Sequence, residues 1–177
     1  DLVFSVPKSV SLLRALGATR RQVLLLFLGE AVLLAALGGA LGLLAVLALV
    51  ADGKLRLGTR LGDIYPDWPA PAADVTIRQM LSHQSGLADY EDNLPAGDKQ
   101  VSDDDVLAIL KAKPALLFAA GTKFEYSNSA FVLLGEIVEK VTGKPFREFV
   151  AKRLLKPPGM DECVMHVEGK TKVKHRA

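Results

Sequence analysis

Two short stretches carry residue types at spacings that could do chemistry. Ser5-Val6-Pro7-Lys8 sets a hydroxyl and an amine three positions apart. On a helix that spacing puts both on one face, where a lysine of lowered pKa can take a serine proton. Pro7 is tolerated in the first turn of such a helix. Tyr126-Ser127-Asn128 sets a phenol and a carboxamide two positions apart, just before an apolar-periodic stretch. Taken alone, Tyr126 reads as a core anchor and Asn128 as a helix cap. His83-Gln84-Ser85 invites a triad reading. The three histidines, His83, His166 and His175, show no metal-ligand spacing, and Cys163 stands alone, so no zinc site is expected. With no Gly-rich phosphate loop, no cofactor is implied.

These residues lie in a chain of 177 with 22 Lys+Arg, 20 Asp+Glu and one Cys. Half of the residues are apolar, and the mean hydropathy of +0.24 is high for a soluble domain. Collagen-like, disordered and disulfide-stapled classes are excluded. A net charge of +2 makes no case for nucleic acid as a partner. The averages hide a split. Residues 1–50 hold Lys8, Arg14, Arg20 and Arg21 against Asp1 and Glu30, whereas the charges of residues 51–177 balance. Two segments are therefore expected, 1–50 and 51–177, joined near Ala51–Gly53.

In the first segment Glu30 is the one charge between Val23 and Val50, and Ala31–Val50 carries none. At about 1.5 Å per residue, that charge-free run spans roughly 30 Å, a bilayer's hydrocarbon thickness. Its Leu and Ala content favours a helix over a strand. Gly38 and Gly42 form a GxxxG pair that would admit a partner helix. The alternative is a helix buried in a soluble core. As a span, with Arg20-Arg21 closest to its start, it places the N-terminus in the cytoplasm and residues 51–177 in the periplasm or outside the cell. Ser11-Leu-Leu-Arg-Ala-Leu-Gly-Ala-Thr-Arg-Arg-Gln-Val23, with the Leu-rich sequence after it, resembles the permease subunits of MacB/FtsX-type ABC transporters. In those a similar stretch leads from the cytoplasmic side into a transmembrane helix. The likeness covers about residues 11–50 and one helix.

The second segment is organised as short elements between turns. Thr76–Ser82 reads as a short helix ended at Gly86. Ser102 caps a helix over Asp103–Lys111, with three Asp near its positive end. Pro114–Tyr126 reads as extended or looped. Ser129–Val141 places Phe131, Leu134, Val138 and Val141 on one helical face, with Gly143 beyond its end. Pro145–Leu155 gathers Phe146, Phe149, Val150 and Leu154.

Several local signatures recur here in one order: Ala51-Asp-Gly-Lys-Leu-Arg-Leu57, Val75-Thr-Ile-Arg-Gln-Met-Leu-Ser-His-Gln-Ser-Gly-Leu87, Gly121-Thr-Lys-Phe-Glu-Tyr-Ser-Asn-Ser129, Leu134-Gly-Glu-Ile-Val-Glu-Lys-Val-Thr-Gly-Lys-Pro-Phe146 and Pro157-Pro-Gly-Met160. Together they resemble the serine β-lactamase-related family of class C β-lactamases, DD-peptidases and related esterases. The resemblance implies an acyl-enzyme hydrolase of a β-lactam, a D-Ala-D-Ala peptide or a small ester. It makes Ser5 the nucleophile, Lys8 its base, Tyr126 the proton relay and Asn128 a ligand of the substrate amide. It makes His83-Gln84-Ser85 a structural turn near the site. The family's third motif, Lys-Thr-Gly or His-x-Gly, is missing, since Lys170-Thr171-Lys172 lacks the glycine and follows Tyr126 too soon.

Two conflicts follow. In the family about twenty residues separate the Ser-x-x-Lys serine from the "Gly-Lys-Leu" turn, whereas Ser5 and Gly53 lie 48 positions apart. A bilayer span over 23–50 would also put Ser5 and Lys8 on the opposite side from Tyr126 and Asn128. Either the apolar helix is buried in the hydrolase fold, or Ser5 and Lys8 are not a working pair. The expected fold is mostly α. It is the helical part of a β-lactamase/transpeptidase-like fold, its main antiparallel sheet largely missing, with one long apolar helix attached. The competing function is an inert, membrane-tethered fragment or fusion.

Overall fold

The computed structural model describes Thr19, Arg21, Gln22 and residues 39–94 and 101–159. By its internal contacts the chain divides into two units, Asp1–Ala40 and Leu41–Ala177. In the first, Thr19 and Gln22 exchange the bonds of a capping box. The Thr19 N–H donates to Gln22 Oε1 at 2.9 Å and the Gln22 N–H to Thr19 Oγ1 at 3.2 Å. Ser5, Lys8, Gly38 and the apolar residues 23–38 lie outside the described residues.

The second unit opens with helix α1, residues 41–51. Ala45, Val46 and Leu49 follow the i, i+1, i+4 spacing of one helical face and are fully buried in the unit's core. Leu43, Leu44 and Leu47 lie on the other face and are exposed. This corrects the expectation for residues 41–50. They are a core helix of the second unit and are not available to a bilayer. Hydropathy could not tell the two fates apart, because a bilayer and a protein core reward the same Leu and Ala side chains. A span that leaves α1 in place has only residues 23–40 to draw on, with Glu30 among them. No helix among the described residues is long and apolar enough to cross a membrane.

After the Gly53 turn come α2 (Leu61–Ile64), a 3₁₀ turn over Ala72–Asp74 and α3 (Ile77–Leu81). A 3₁₀ turn over Glu91–Asn93, α4 (Asp103–Ala112), α5 (Asn128–Thr142) and α6 (Phe146–Val150) follow, and a π turn over Ala151–Leu155 is the last helical element among the described residues. Local chemistry sets these boundaries. Thr76 and Gln79 cap α3 reciprocally, as Ser102 and Asp105 cap α4. Gly143 ends α5 with φ 65°, its N–H donating to the Glu139 carbonyl at 2.7 Å. α5 is the hub, packing against α3, α4 and α6. Its buried face is Ala130, Leu133, Leu134, Ile137 and Val138. Phe131 and Val141, expected on that face, sit at its half-buried margin. Among the described residues the one β feature is a bridge between Arg60 and Thr76, so no hairpin is present there.

Candidate active site

The site grows from the short segment after α3. Ser82 ends that helix, and His83 takes φ 54°, a left-handed conformation that histidine tolerates better than most residues. The segment then receives three backbone bonds from a later loop. The Glu125 N–H donates to the His83 carbonyl at 2.9 Å, the Gly121 N–H to that of Gln84 at 2.8 Å, and the Leu117 N–H to that of Gly86 at 2.7 Å. Gly86 is obligatory here: its φ is 68°, and a Cβ would stand 2.2 Å from the Phe118 carbonyl oxygen. Residues 117–125 are thereby laid along residues 83–86, and the loop delivers Tyr126 beside His83.

The imidazole completes the attachment. His83 Nδ1 accepts the Ser127 N–H at 3.1 Å. Its ring lies against both Tyr126, centroids 4.7 Å apart at 32°, and Phe131, 4.9 Å apart at 23°. Phe124 meets it edge-on at 5.8 Å. Burial pushes the imidazole below its ordinary pKa of 6.5, favouring the neutral ring. With Nδ1 accepting, the ring proton is assigned to Nε2. His83 is thus a scaffold for the Tyr-Ser-Asn turn and not a member of a triad with Ser85.

Each residue of the turn has its own environment. Tyr126 is 63% exposed, with its ring backed by His83, so it is not a core anchor. Ser127 is buried and caps α5, its Oγ accepting the Ala130 N–H at 3.1 Å. Asn128 is therefore released from capping. It opens α5, half-buried, and its Nδ2 donates to Glu91 Oε1 at 3.2 Å. Ser129 is fully buried, and its Oγ accepts the Tyr90 N–H at 2.9 Å, fixing the turn that carries Glu91. Sequence reasoning missed Glu91, Tyr90 and Phe124. Glu91 and Asn128 are separated by 37 positions, and no local pattern joins them.

The surroundings are open. A hollow of about 30 Å³ lies beneath the turn, between Ser85, Gly86, Leu117, Phe118 and Ser127. It is far below the roughly 300 Å³ at which ligand pockets begin. A larger hollow, about 560 Å³, is lined by Pro71, Asp74, Val75, Leu116, Phe118 and neighbouring alanines, and by none of the expected site residues. Among the described residues no group of three or more His, Cys, Asp or Glu could hold a metal. Lys170-Thr171-Lys172, Cys163, His166 and His175 lie outside the described residues. Gly42, half of the expected GxxxG pair, does admit a close neighbour, but one from this chain. A Cβ there would stand 3.4 Å from the ring of Phe131.

The family model described as Beta-lactamase matches residues 40–174, a range that takes in α1, the His83 segment and the Tyr-Ser-Asn turn. The chain belongs to the beta-lactamase family. A second model, FtsX-like permease C-terminal, matches residues 7–52 and overlaps the first across α1. Among relatives of the beta-lactamase family, the chain is 30% identical over 133 residues to penicillin-binding protein 4* of Bacillus subtilis, covering 73% of this chain and 29% of that protein. It is 34% identical over 137 residues to esterase EstB of Burkholderia gladioli, covering 68% and 34%. The D-amino acid amidase of Ochrobactrum anthropi SV3, solved with L-phenylalanine, superposes with a TM-score of 0.60 at 29% identity, over 69% of this chain and 35% of that one. The chain thus spans about a third of the length of the beta-lactamase-family proteins it matches.

Proposed function

We infer that this chain carries the tyrosine–asparagine side of an acyl-transfer site in a serine hydrolase of the beta-lactamase family. The observation that carries this is the Tyr126–Asn128 turn. It presents an exposed phenol and a carboxamide, both held from behind by His83 and Glu91. Such an arrangement suits a substrate carbonyl with an amide or ester leaving group beside it. Ser5 is the nucleophile and Lys8 its base. The serine oxygen bonds to the carbonyl carbon and its proton passes to the Lys8 amine. Tyr126 relays a proton to the departing nitrogen or oxygen, and water then cleaves the acyl-enzyme ester. Asn128 holds the substrate amide. The substrate is a β-lactam, a D-Ala-D-Ala peptide or a small ester.

One observation favours a second reading. α1 runs directly into the Gly53 turn, as the family's nucleophile helix does. Counting about twenty residues back from Gly53 reaches Leu33-Leu34-Ala35-Ala36, with neither Ser nor Lys. On that reading the permease-like stretch has replaced the nucleophile helix. The chain is then an inert domain of the family, tethered through residues before 41.

The deciding experiment is covalent labelling of the full chain, in detergent, with a fluorescent β-lactam, alongside hydrolysis of a chromogenic ester. A label mapped to Ser5, lost in Ser5→Ala and in Lys8→Ala, supports the hydrolase. A folded chain that takes no label and turns over no ester overturns it and leaves the inert domain.

A further inference from the structure

His83 has more attachments to the Tyr-Ser-Asn turn than a turn residue needs. Its carbonyl accepts the Glu125 N–H, its Nδ1 accepts the Ser127 N–H, and its ring fills the space between Tyr126 and Phe131. Three of these contacts bear on the residues either side of the phenol or on the phenol ring itself. One of them, the bond to Nδ1, exists only while that nitrogen is unprotonated. A proton there would set two donors against each other across 3.1 Å.

We propose that His83 is a positioning residue for Tyr126 and Asn128, holding them in the neutral form and releasing the turn when it is protonated. For its functional consequence this rests on the hydrolase reading; the coupling of His83 to the turn does not.

Charges around the ring leave the proton equilibrium to burial. On the loop, the Glu125 carboxylate is engaged by Lys123 Nζ at 2.6 Å, and Tyr126 meets the imidazole with its ring. On α3 the nearest charge in sequence is Arg78, which is exposed. α5 meets the imidazole through Phe131, with Glu136 and Glu139 further along the helix, and Glu91 is turned to Asn128. Stacking on Tyr126 and Phe131 would favour a charged ring through cation–π attraction. Desolvation prevails and lowers the pKa below 6.5. The sign follows: the hold on the turn is complete above 6.5 and is lost as pH falls through the lower value of the folded protein.

Two substitutions separate the parts of this device. His83→Asn puts a carbonyl oxygen near the place of Nδ1, suits a left-handed φ, and cannot titrate in this range. His83→Phe keeps a ring in the stack and removes the acceptor. The measurement is a pH titration of the full isotopically labelled chain by NMR. It reads the His83 imidazole, the Ser127 and Tyr126 amides, and Val106 and Leu110 on α4 as controls. In the unsubstituted chain the Ser127 and Tyr126 amides should shift with the His83 midpoint, below 6.5, while the α4 amides stay still. In His83→Asn that shift should vanish, with the Ser127 amide fixed near its neutral-pH position. In His83→Phe it should sit near its low-pH position throughout.

A Ser127 amide that ignores the imidazole midpoint, or one that still titrates in His83→Asn, overturns the proposal. If His83→Phe does not fold, the other two chains decide. The β-lactam label tests the hydrolase reading separately. Coupled titration with neither label nor ester turnover upholds the positioning role and removes the hydrolase, whereas a label without coupled titration does the reverse. Where both hold, the labelling rate should fall with the same midpoint and lose that dependence in His83→Asn.

Discussion

Helix α1 and the loop that delivers Tyr126 are held in place by different physics. α1 is positioned by area. Ala45, Val46 and Leu49 are fully buried in the unit's hydrophobic core, and each buried Leu or Val contributes about 1.5–3 kcal/mol without fine directionality. The Tyr126 loop is positioned by a few directional contacts: three backbone bonds to residues 83–86, one imidazole acceptor and one stack. Tyr126 itself stays 63% exposed. A helix held by area tolerates a lost contact and keeps its place. A loop held by few contacts can be moved by a single proton or a single methyl group.

The largest effect should come from breaking the area-held side. Leu49→Ala removes a fully buried side chain, and chemical unfolding should show a loss of about 2–5 kcal/mol. Leu44→Ala, on the exposed face of the same helix, should stay within about 0.5 kcal/mol. Equal effects at both positions would mean that α1 is not a one-faced core helix. Gly86→Ala attacks the loop. It adds a Cβ where the Phe118 carbonyl stands and strains φ 68°. A cost of about 1–3 kcal/mol should come with faster amide exchange at Leu117, Gly121 and Glu125, the donors to residues 83–86. Unchanged exchange there would detach the loop from Gly86.

Smaller changes sharpen the contrast within the turn. Ser127→Ala removes the α5 cap and should cost about 1 kcal/mol in thermal or denaturant unfolding. Asn128→Ala should cost less than half as much, because Ser127 caps α5 and the Asn128 side chain bonds an exposed carboxylate. The reverse order would make Asn128 the cap. The smallest effect is a titration. Burial, with the carboxylates of Glu136, Glu139 and Asp67, pushes the Tyr65 phenol up to about 12. Its contribution to stability is present below pH 10 and is lost as pH rises through about 12. Ultraviolet titration of Tyr65→Phe against the parent should remove the late-ionising phenol. Loss of an early-ionising one would place Tyr65 in water.

The elements that sequence reading anticipated are those with local signals. α3 and α4 begin one residue after Thr76 and Ser102, whereas α5 is capped by Ser127 and not by Asn128, the cap read from the sequence. Caps and C-terminal glycines act within a few residues and leave their mark in the chain order. The beta-lactamase resemblance was legible for a similar reason, as several short signatures in one order. The exact core face of α5 was less so. Its periodicity gave a stripe, but the direction of that stripe depends on which helices pack against it, and Phe131 turned out to belong to the His83 stack.

Sequence alone determined that this chain has an apolar N-terminal stretch, capped helices behind it and a Tyr-x-Asn turn of the beta-lactamase family. Tertiary structure decided the destination of residues 41–50, because hydrophobicity states that a surface leaves water without stating what it meets. It also decided what holds the turn. His83 reaches Ser127 across 44 positions, Ser129 reaches Tyr90 across 39, and Asn128 reaches Glu91 across 37. A hydrogen bond needs two groups within about 3 Å, and only the folded chain brings residues so far apart in sequence to that distance.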